Sequence, residues 1–246
     1  FAPTAQRGKH IGATQLAWSC GPFIGFGLAA ALTPLGLLGS RIVFAHLVVI
    51  ALATWYIRQG LEESATWESA KGGAGAEPPS MWASLRKLFN RRVNITALAF
   101  LAVIYTCWNQ AASQNGIFLP TILGSMGYET LQTDLFSMLS WGFVIASTFV
   151  FMRLVDRVPY RWHYLVGGLL AIASWIILVF GPSDAAWTAF GYTMIWGLSA
   201  GPSAQAFYSV WSPELFATPY RSAAQGIVFF VVRLASGLIS LIFPII

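Results

Sequence analysis

The sequence has very little charge, and this scarcity excludes most soluble folds. Only 9% of its 246 residues are Asp, Glu, Lys or Arg, whereas a soluble domain carries about 25%. A chain with so few charges cannot cover a surface that faces water. Its apolar content of 57% and mean hydropathy of +0.65 fit a lipid environment instead. We therefore predict an all-α membrane protein.

Cysteines and catalytic or metal-binding motifs are also scarce. The two cysteines, Cys20 and Cys107, fall in apolar stretches and give no disulfide framework. The three histidines, His10, His46 and His163, have no Cys, Asp or Glu at metal-ligand spacing. No nucleophile elbow or phosphate-binding loop is present. The sequence thus predicts no enzyme, no cofactor and no metal site.

The sequence is rich, by contrast, in long apolar stretches. A helix that crosses a membrane needs about 20 mostly apolar residues, and seven stretches of that kind fit the sequence. The seven predicted spans lie at 10–33, 39–59, 93–118, 133–153, 162–181, 186–210 and 221–244. Because the sequence opens and stops close to apolar stretches, we expect further helices on both sides of it.

The basic residues are distributed unequally between the two sides of the predicted helices. When successive loops alternate sides, twelve Lys and Arg residues fall on one side and Arg41 alone on the other. This asymmetry is the positive-inside pattern. It predicts a cytoplasmic N-terminal end, a cytoplasmic 60–92 loop and a cytoplasmic 153–162 loop, and it explains the basic charge without a nucleic-acid partner. The twelve are Arg7, Lys9, Arg58, Lys71, Arg86, Lys87, Arg91, Arg92, Arg153, Arg157, Arg161 and Arg221.

The 60–92 segment differs from the rest of the chain in its charge and its glycine and proline content, which indicate a linker. Its end, from Ser80 to Arg92, is typical of a short amphipathic helix.

Within the spans, the pairs Gly21/Gly25 and Gly197/Gly201 predict close helix packing. The prolines expected to bend or break helices are Pro22, Pro34, Pro120 and Pro202.

The third predicted span contains an unusual cluster of amides. Asn109, Gln110, Gln114 and Asn115 place four carboxamides within seven residues. An unpaired amide is costly in hydrocarbon, and a carboxamide offers donors and acceptors without charge. The cluster therefore favours a site for a ligand rich in hydroxyl groups. Hydrogen bonds that hold helices together are the alternative.

Five segments stand in order along the chain: Ala2–Gly8 with Gln15, Glu63–Trp67, Asn109–Asn115, Asp156–Arg161 and Tyr208–Phe216 with Arg221. Together they resemble the major facilitator superfamily, most closely its sugar-porter and inositol-porter branch. They resemble, in turn, its fifth-helix start, the segment after its sixth helix, its seventh-helix amides, the loop between its eighth and ninth helices, and the loop after its tenth. The last apolar run, through Arg233, is similar to that of bacterial inositol porters.

The resemblance implies a fold of twelve helices in two halves of six, of which seven are present here. Four helices are then expected before Phe1 and one after Ile246. Residues 1–70 are expected to hold the last two helices of the N-terminal half, residues 71–92 a cytoplasmic interdomain linker, and residues 93–246 five helices of the C-terminal half.

The resemblance also assigns roles to individual residues. Gln15, Gln110 and Asn115 are expected to bind substrate hydroxyls, with Asn109 in place of a second Gln; the amide cluster adds Gln114. A cytoplasmic gating charge network is expected from Arg7, Glu63, Asp156, Arg157, Arg161, Glu214 and Arg221. The chain departs from the hexose-transporting pattern at Val144, Ser209, Ala217 and Pro159–Tyr160, which argues against hexose itself.

Arg233 is the one charge that lies well inside a predicted span rather than near its end. It lies about 12 residues into that span, or roughly 18 Å at 1.5 Å per residue, near the middle of the bilayer. A charge at that depth costs at least about 2.5–3.5 kcal/mol and needs a partner. The candidates are an acid on another helix, backbone carbonyls or a carboxylate substrate.

These observations predict a secondary transporter in the plasma membrane. Its expected substrate is a polyol, inositol or sugar, moved by alternating access, with a proton as the coupling ion implied by the resemblance. A carboxylate porter that uses Arg233 is the main alternative. Drug efflux, suggested faintly by Gly21–Gly25, and a non-transporting nutrient sensor are further alternatives.

Overall fold

The structure, a computed structural model, describes residues 7–60 and 80–242, and their regular secondary structure is helical. The chain begins with α1 (Arg7–Leu32) and α2 (Leu37–Arg58), joined by a 3-10 turn at Thr33–Leu35. It continues with α3 (Met81–Phe89), α4 (Arg92–Ser125), α5 (Thr130–Leu154), α6 (Tyr160–Phe180), α7 (Ala186–Ala200), α8 (Ala204–Leu215) and α9 (Thr218–Ile242). The predicted all-α fold is confirmed.

Six helices in the described ranges are long and apolar enough to cross a membrane. They are α1 with the turn after it, α2, α4, α5, α6 and α9. Most of the apolar side chains on α2 and α6 are exposed, as expected for helices whose solvent is lipid. These spans match six of the seven predicted ones.

The remaining predicted span, 186–210, is wrong as a single helix. The structure divides it into α7, which ends at Ala200, and α8, which begins at Ala204. Pro202 explains the break, because it lacks the N–H that would bond the carbonyl four residues earlier, and its ring clashes with that carbonyl.

Two compact groups of helices divide the described residues. The first group contains 80–116 and 204–242, and the second contains 7–60 and 117–203, so the division falls inside α4. Among the described residues, the second group draws on sequence from both sides of the predicted linker and the first group does not. The predicted halves 1–70 and 93–246 remain a prediction. Of the predicted linker 71–92, residues 71–79 lie outside the described residues.

In the first group, α9 packs against α3 and α8 around a buried apolar core. The N-terminus of α3 is capped by Ser80, whose Oγ accepts a hydrogen bond from the Ala83 N–H at 3.2 Å. Leu88 of α3 is fully buried in the core, while Trp82 is exposed. The short amphipathic helix predicted after the linker is therefore present. Of the four residues expected on its apolar side, Trp82, Leu85, Leu88 and Phe89, two are exposed: Trp82 and Phe89.

In the second group, α1 packs along α5 and α2, and α7 packs against α5 and α6. Gly197 and Gly201 lie at the α5–α7 contact, as predicted. A Cβ at Gly197 would lie 2.6 Å from the Ser140 carbonyl oxygen, closer than real Cβ contacts come. The same prediction for Gly21 and Gly25 is not confirmed within the described residues, where a Cβ would meet nothing within 4 Å.

Candidate functional site

Polar side chains of α4 meet a serine of α9 inside the first group. The Ser236 hydroxyl donates to Asn109 Oδ1 at 2.7 Å and accepts from Gln110 Nε2 at 3.3 Å. Ser113 donates to the same Asn109 oxygen at 3.3 Å. We call Asn109, Gln110, Ser113, Gln114 and Ser236 the α4–α9 polar seam. Hydrogen bonds join two of the predicted site residues, Asn109 and Gln110, through Ser236, and Gln114 lies one turn after Gln110 on α4.

Gln114 has the most open hydrogen-bonding capacity in the α4–α9 polar seam. Its side chain is only 7% exposed, and neither Nε2 nor Oε1 has a hydrogen-bond partner among the described residues. The Oε1 of Gln110, one turn earlier, is buried without a partner as well. An unsatisfied buried polar group costs about 1–3 kcal/mol. The seam therefore presents neutral donors and acceptors that a ligand with hydroxyl groups is suited to fill.

The other two predicted amides are placed differently. Asn115 is buried on α4 directly after Gln114 and makes contacts of its own within the protein. Gln15 lies half-buried on α1, in the second group, where its backbone carbonyl accepts a hydrogen bond from Ser19 at 2.9 Å. A role for either residue in substrate binding remains a prediction.

Sequence reasoning missed Ser236. A single serine in an apolar helix has no pattern that separates it from an ordinary packing residue. Its role appears only when the fold brings it against Asn109 and Gln110, more than 120 residues earlier in the chain. The available signal was weak: Ser236 is a small polar residue three positions after Arg233, at similar depth in the same span.

Arg233 lies on α9 beside an aromatic cluster in the first group. Arg233 is exposed, and its positive charge acts electrostatically on Tyr105. Tyr105 stacks on Tyr208 with ring centroids 4.5 Å apart and meets the edge of Phe229 at 5.6 Å. None of the carboxylates in the described ranges forms an ion pair with Arg233.

The predicted gating residues are mostly exposed. Asp156, Arg157 and Arg161 surround the α5–α6 connection and form no ion pair with one another. Arg221 donates to the Pro213 carbonyl at 2.8 Å, while Glu214 is exposed on α8 and has contacts of its own. Glu63 and the side chain of Arg7 lie outside the described residues, so the charge network remains a prediction.

No group of His, Cys, Asp or Glu within the described ranges has the arrangement of a metal site. Neither free cysteine, Cys20 or Cys107, is part of the α4–α9 polar seam. The chemistry that the seam offers is hydrogen bonding by neutral amides and hydroxyls.

Apolar helices of membrane-crossing length and a buried amide cluster between two of them define a multi-pass membrane protein with a polar interior site. Family comparison identifies the class more closely: the family model described as Major Facilitator Superfamily matches residues 1–240. The chain belongs to the Major Facilitator Superfamily. This membership confirms the predicted family.

A curated relative is similar over the whole chain. The minor myo-inositol transporter IolF of Bacillus subtilis (strain 168) is 32% identical over 255 residues, covering 100% of this chain and 57% of that protein. The chain therefore spans little more than half the length of this relative. No solved structure matched the chain.

Proposed function

We propose that this protein is a secondary transporter of a small polyhydroxylated solute, such as a polyol, an inositol or a sugar. The observation that carries the proposal is Gln114, an amide buried among apolar helices with both polar atoms unfilled. A solute hydroxyl both donates and accepts, so it satisfies such an amide without introducing charge. The similarity to a myo-inositol transporter supports the same substrate class. The proposed binding residues are Gln15, Asn109, Gln110, Gln114 and Asn115.

The proposed mechanism is alternating access. Two helix bundles rock around a site near the middle of the membrane, so that the site opens to one side at a time. Charges at the cytoplasmic ends of helices suit such a switch, because rocking breaks and remakes their ion pairs. The proposal places this network at Arg7, Glu63, Asp156, Arg157, Arg161, Glu214 and Arg221. It further places the protein in the plasma membrane, with a proton as the coupling ion.

The test is uptake of labelled myo-inositol by the reconstituted protein with Gln110→Ala. We expect uptake to be abolished while membrane insertion remains normal, because the variant removes one of the two neighbouring amides with open atoms. Gln59→Ala, which changes an exposed carboxamide after α2, is the matched control and should leave uptake unchanged. Unchanged uptake in Gln110→Ala would remove the proposed site.

A second candidate function is transport of a small carboxylate held by Arg233. The observation that favours it is an exposed arginine on α9, inside an apolar span, that forms no ion pair with a carboxylate of the described residues. A guanidinium binds a carboxylate through paired N–H donors.

Competition separates the two functions. If a polyol is the substrate, excess inositol blocks uptake and organic acids do not; a carboxylate porter gives the reverse. Arg233→Gln should disable a carboxylate porter and spare a polyol porter. Arg41→Gln, which changes an exposed arginine on α2, controls for the loss of one positive charge.

A further inference from the structure

An apolar groove lies between the ends of three helices in the second group. It has a volume of about 400 Å³, and its lining is almost entirely hydrocarbon. One side of the groove is formed by α5, from Ser147 to Leu154, and another by α6, from Trp162 to Leu170. Leu198, near the end of α7, and Pro202, between α7 and α8, also line it. None of the residues that line the groove belongs to the α4–α9 polar seam.

Side chains at the rim of this groove are open to the surroundings. Trp162 is 51% exposed, and Val150, Leu154 and Val166 are exposed as well. The groove lies at the end of two apolar spans, α5 and α6, where the surroundings are the outer part of a bilayer leaflet. An apolar concavity in that position is suited to a hydrocarbon chain.

Positive charge lies at the same end of the groove. Residues 153–161 contain Arg153, Arg157 and Arg161 against one acid, Asp156, and all four are exposed. The Arg161 guanidinium lies 5.7 Å from the centre of the Trp162 ring. Because Trp162 lines the groove, this cation–π contact holds a positive charge at the groove mouth.

The geometry points to a binding site for an anionic phospholipid, with one acyl chain in the groove and the phosphate at Arg153, Arg157 and Arg161. Two features favour a lipid over other occupants. The charge of the rim is complementary to an anionic headgroup, and the apolar groove continues directly from that rim. The basic loop belongs to the predicted cytoplasmic side, where the leaflet carries anionic lipid that attracts basic residues near the surface.

Native mass spectrometry of the purified 246-residue chain tests the site. The protein is incubated with equal amounts of phosphatidylglycerol and phosphatidylcholine that carry identical acyl chains. We expect phosphatidylglycerol adducts in clear excess. Each arginine near an anionic headgroup contributes roughly fivefold in affinity, so Arg157→Gln and Arg161→Gln should each lower the ratio of the two adducts by about that factor.

Two variants control for charge and for the groove. Arg91→Gln changes an exposed arginine near α4 in the first group and should leave the adduct ratio unchanged. Val166→Trp fills the groove and should lower the adducts of both lipids without changing their ratio. Should an arginine variant fail to fold, raising the ammonium acetate concentration on the unmodified chain gives a second measurement, and the ratio should fall.

Several outcomes would overturn the inference. Equal adducts of the two lipids, or a ratio insensitive to both arginine variants and salt, would remove the headgroup site. If millimolar inorganic phosphate displaced the lipid and Val166→Trp had no effect, the arginines would bind phosphate without any contribution from the groove. A dimer mass without lipid adducts would assign the groove to a second copy of the chain.

Discussion

Two contacts between helices use polar residues in opposite ways. At the α5–α7 contact, Ser147 donates to the Gly197 carbonyl at 3.0 Å and accepts from the Gly201 N–H at 3.1 Å. Its hydroxyl is satisfied as donor and acceptor, and the glycines let the backbones come close. At the α4–α9 polar seam, Ser236 is satisfied in the same way, but Gln114 and part of Gln110 are not.

The glycines of the two contacts differ as well. A Cβ at Gly201 would lie 2.6 Å from the Ser147 carbonyl oxygen, whereas a Cβ at Gly116, Gly226 or Gly237 would meet no described atom within 4 Å. The α5–α7 contact is therefore close-packed, while the α4–α9 seam is joined by polar side chains. Under the proposed function, the open amides belong to a binding site and the saturated polar groups hold helices together. An open atom alone does not decide this, because the buried Ser140 hydroxyl on α5 also has no hydrogen-bond partner among the described residues.

The largest expected effect tests that distinction directly. In Gln114→Leu, uptake of the solute should fall by about 10–100-fold, since a lost hydrogen bond to a ligand costs about 1–3 kcal/mol. The thermal stability of the unliganded protein should not fall, because the variant removes a buried amide with no partner. Uptake assays and thermal unfolding in detergent measure the two quantities.

Asn109→Leu is the matched comparison on the same helix. Asn109 Oδ1 accepts from both Ser113 and Ser236, so its loss should reduce uptake and stability together. If Gln114→Leu destabilises the protein as much as Asn109→Leu does, then Gln114 is a structural residue and the contrast between the two contacts is wrong.

The next effect tests the close packing of the α5–α7 contact. Gly197→Ala should destabilise the protein by about 1–3 kcal/mol, the usual cost of overpacking, because the new methyl meets the Ser140 carbonyl and Phe143. Gly191→Ala, on the same helix, places its methyl 3.7 Å from the nearest atom of Ile177 and should be tolerated. Equal melting temperatures for the two variants would show that α5 and α7 are not in close contact.

The fold class was predictable because it depends on composition averaged over long stretches. Six spans could be predicted from apolar runs of about 20 residues, because such runs have few stable alternatives to a membrane-spanning helix. The break between α7 and α8 was harder to predict, because proline is tolerated inside other helices of this protein, as Pro22 in α1 and Pro120 in α4 show. Whether a proline ends a helix depends on its surroundings.

The candidate site was predictable in part, for a related reason. Asn109, Gln110 and Gln114 stand out because amides are rare in apolar helices, and their spacing places them near one another on a single helix. Ser236 and the satisfied or open state of each amide depend on contacts between α4 and α9, which one sequence does not encode in a visible pattern. The gating residues resemble a known family motif, but the charged residues on any protein surface are of the same types.

The smallest effect compares the two serines that bridge helices. Ser147→Ala should lower stability by about 0.6 kcal/mol, the average for hydrogen bonds between helices in a membrane, and leave the apparent affinity for solute unchanged. Ser236→Ala should cost a similar amount of stability but also weaken solute binding, because Asn109 Oδ1 and Gln110 Nε2 lose the hydroxyl that fixes their orientation. Thermal unfolding and the KM of uptake separate the two. A raised KM in Ser147→Ala, or an unchanged KM in Ser236→Ala, would show that the α4–α9 polar seam holds helices together in the same way as the α5–α7 contact.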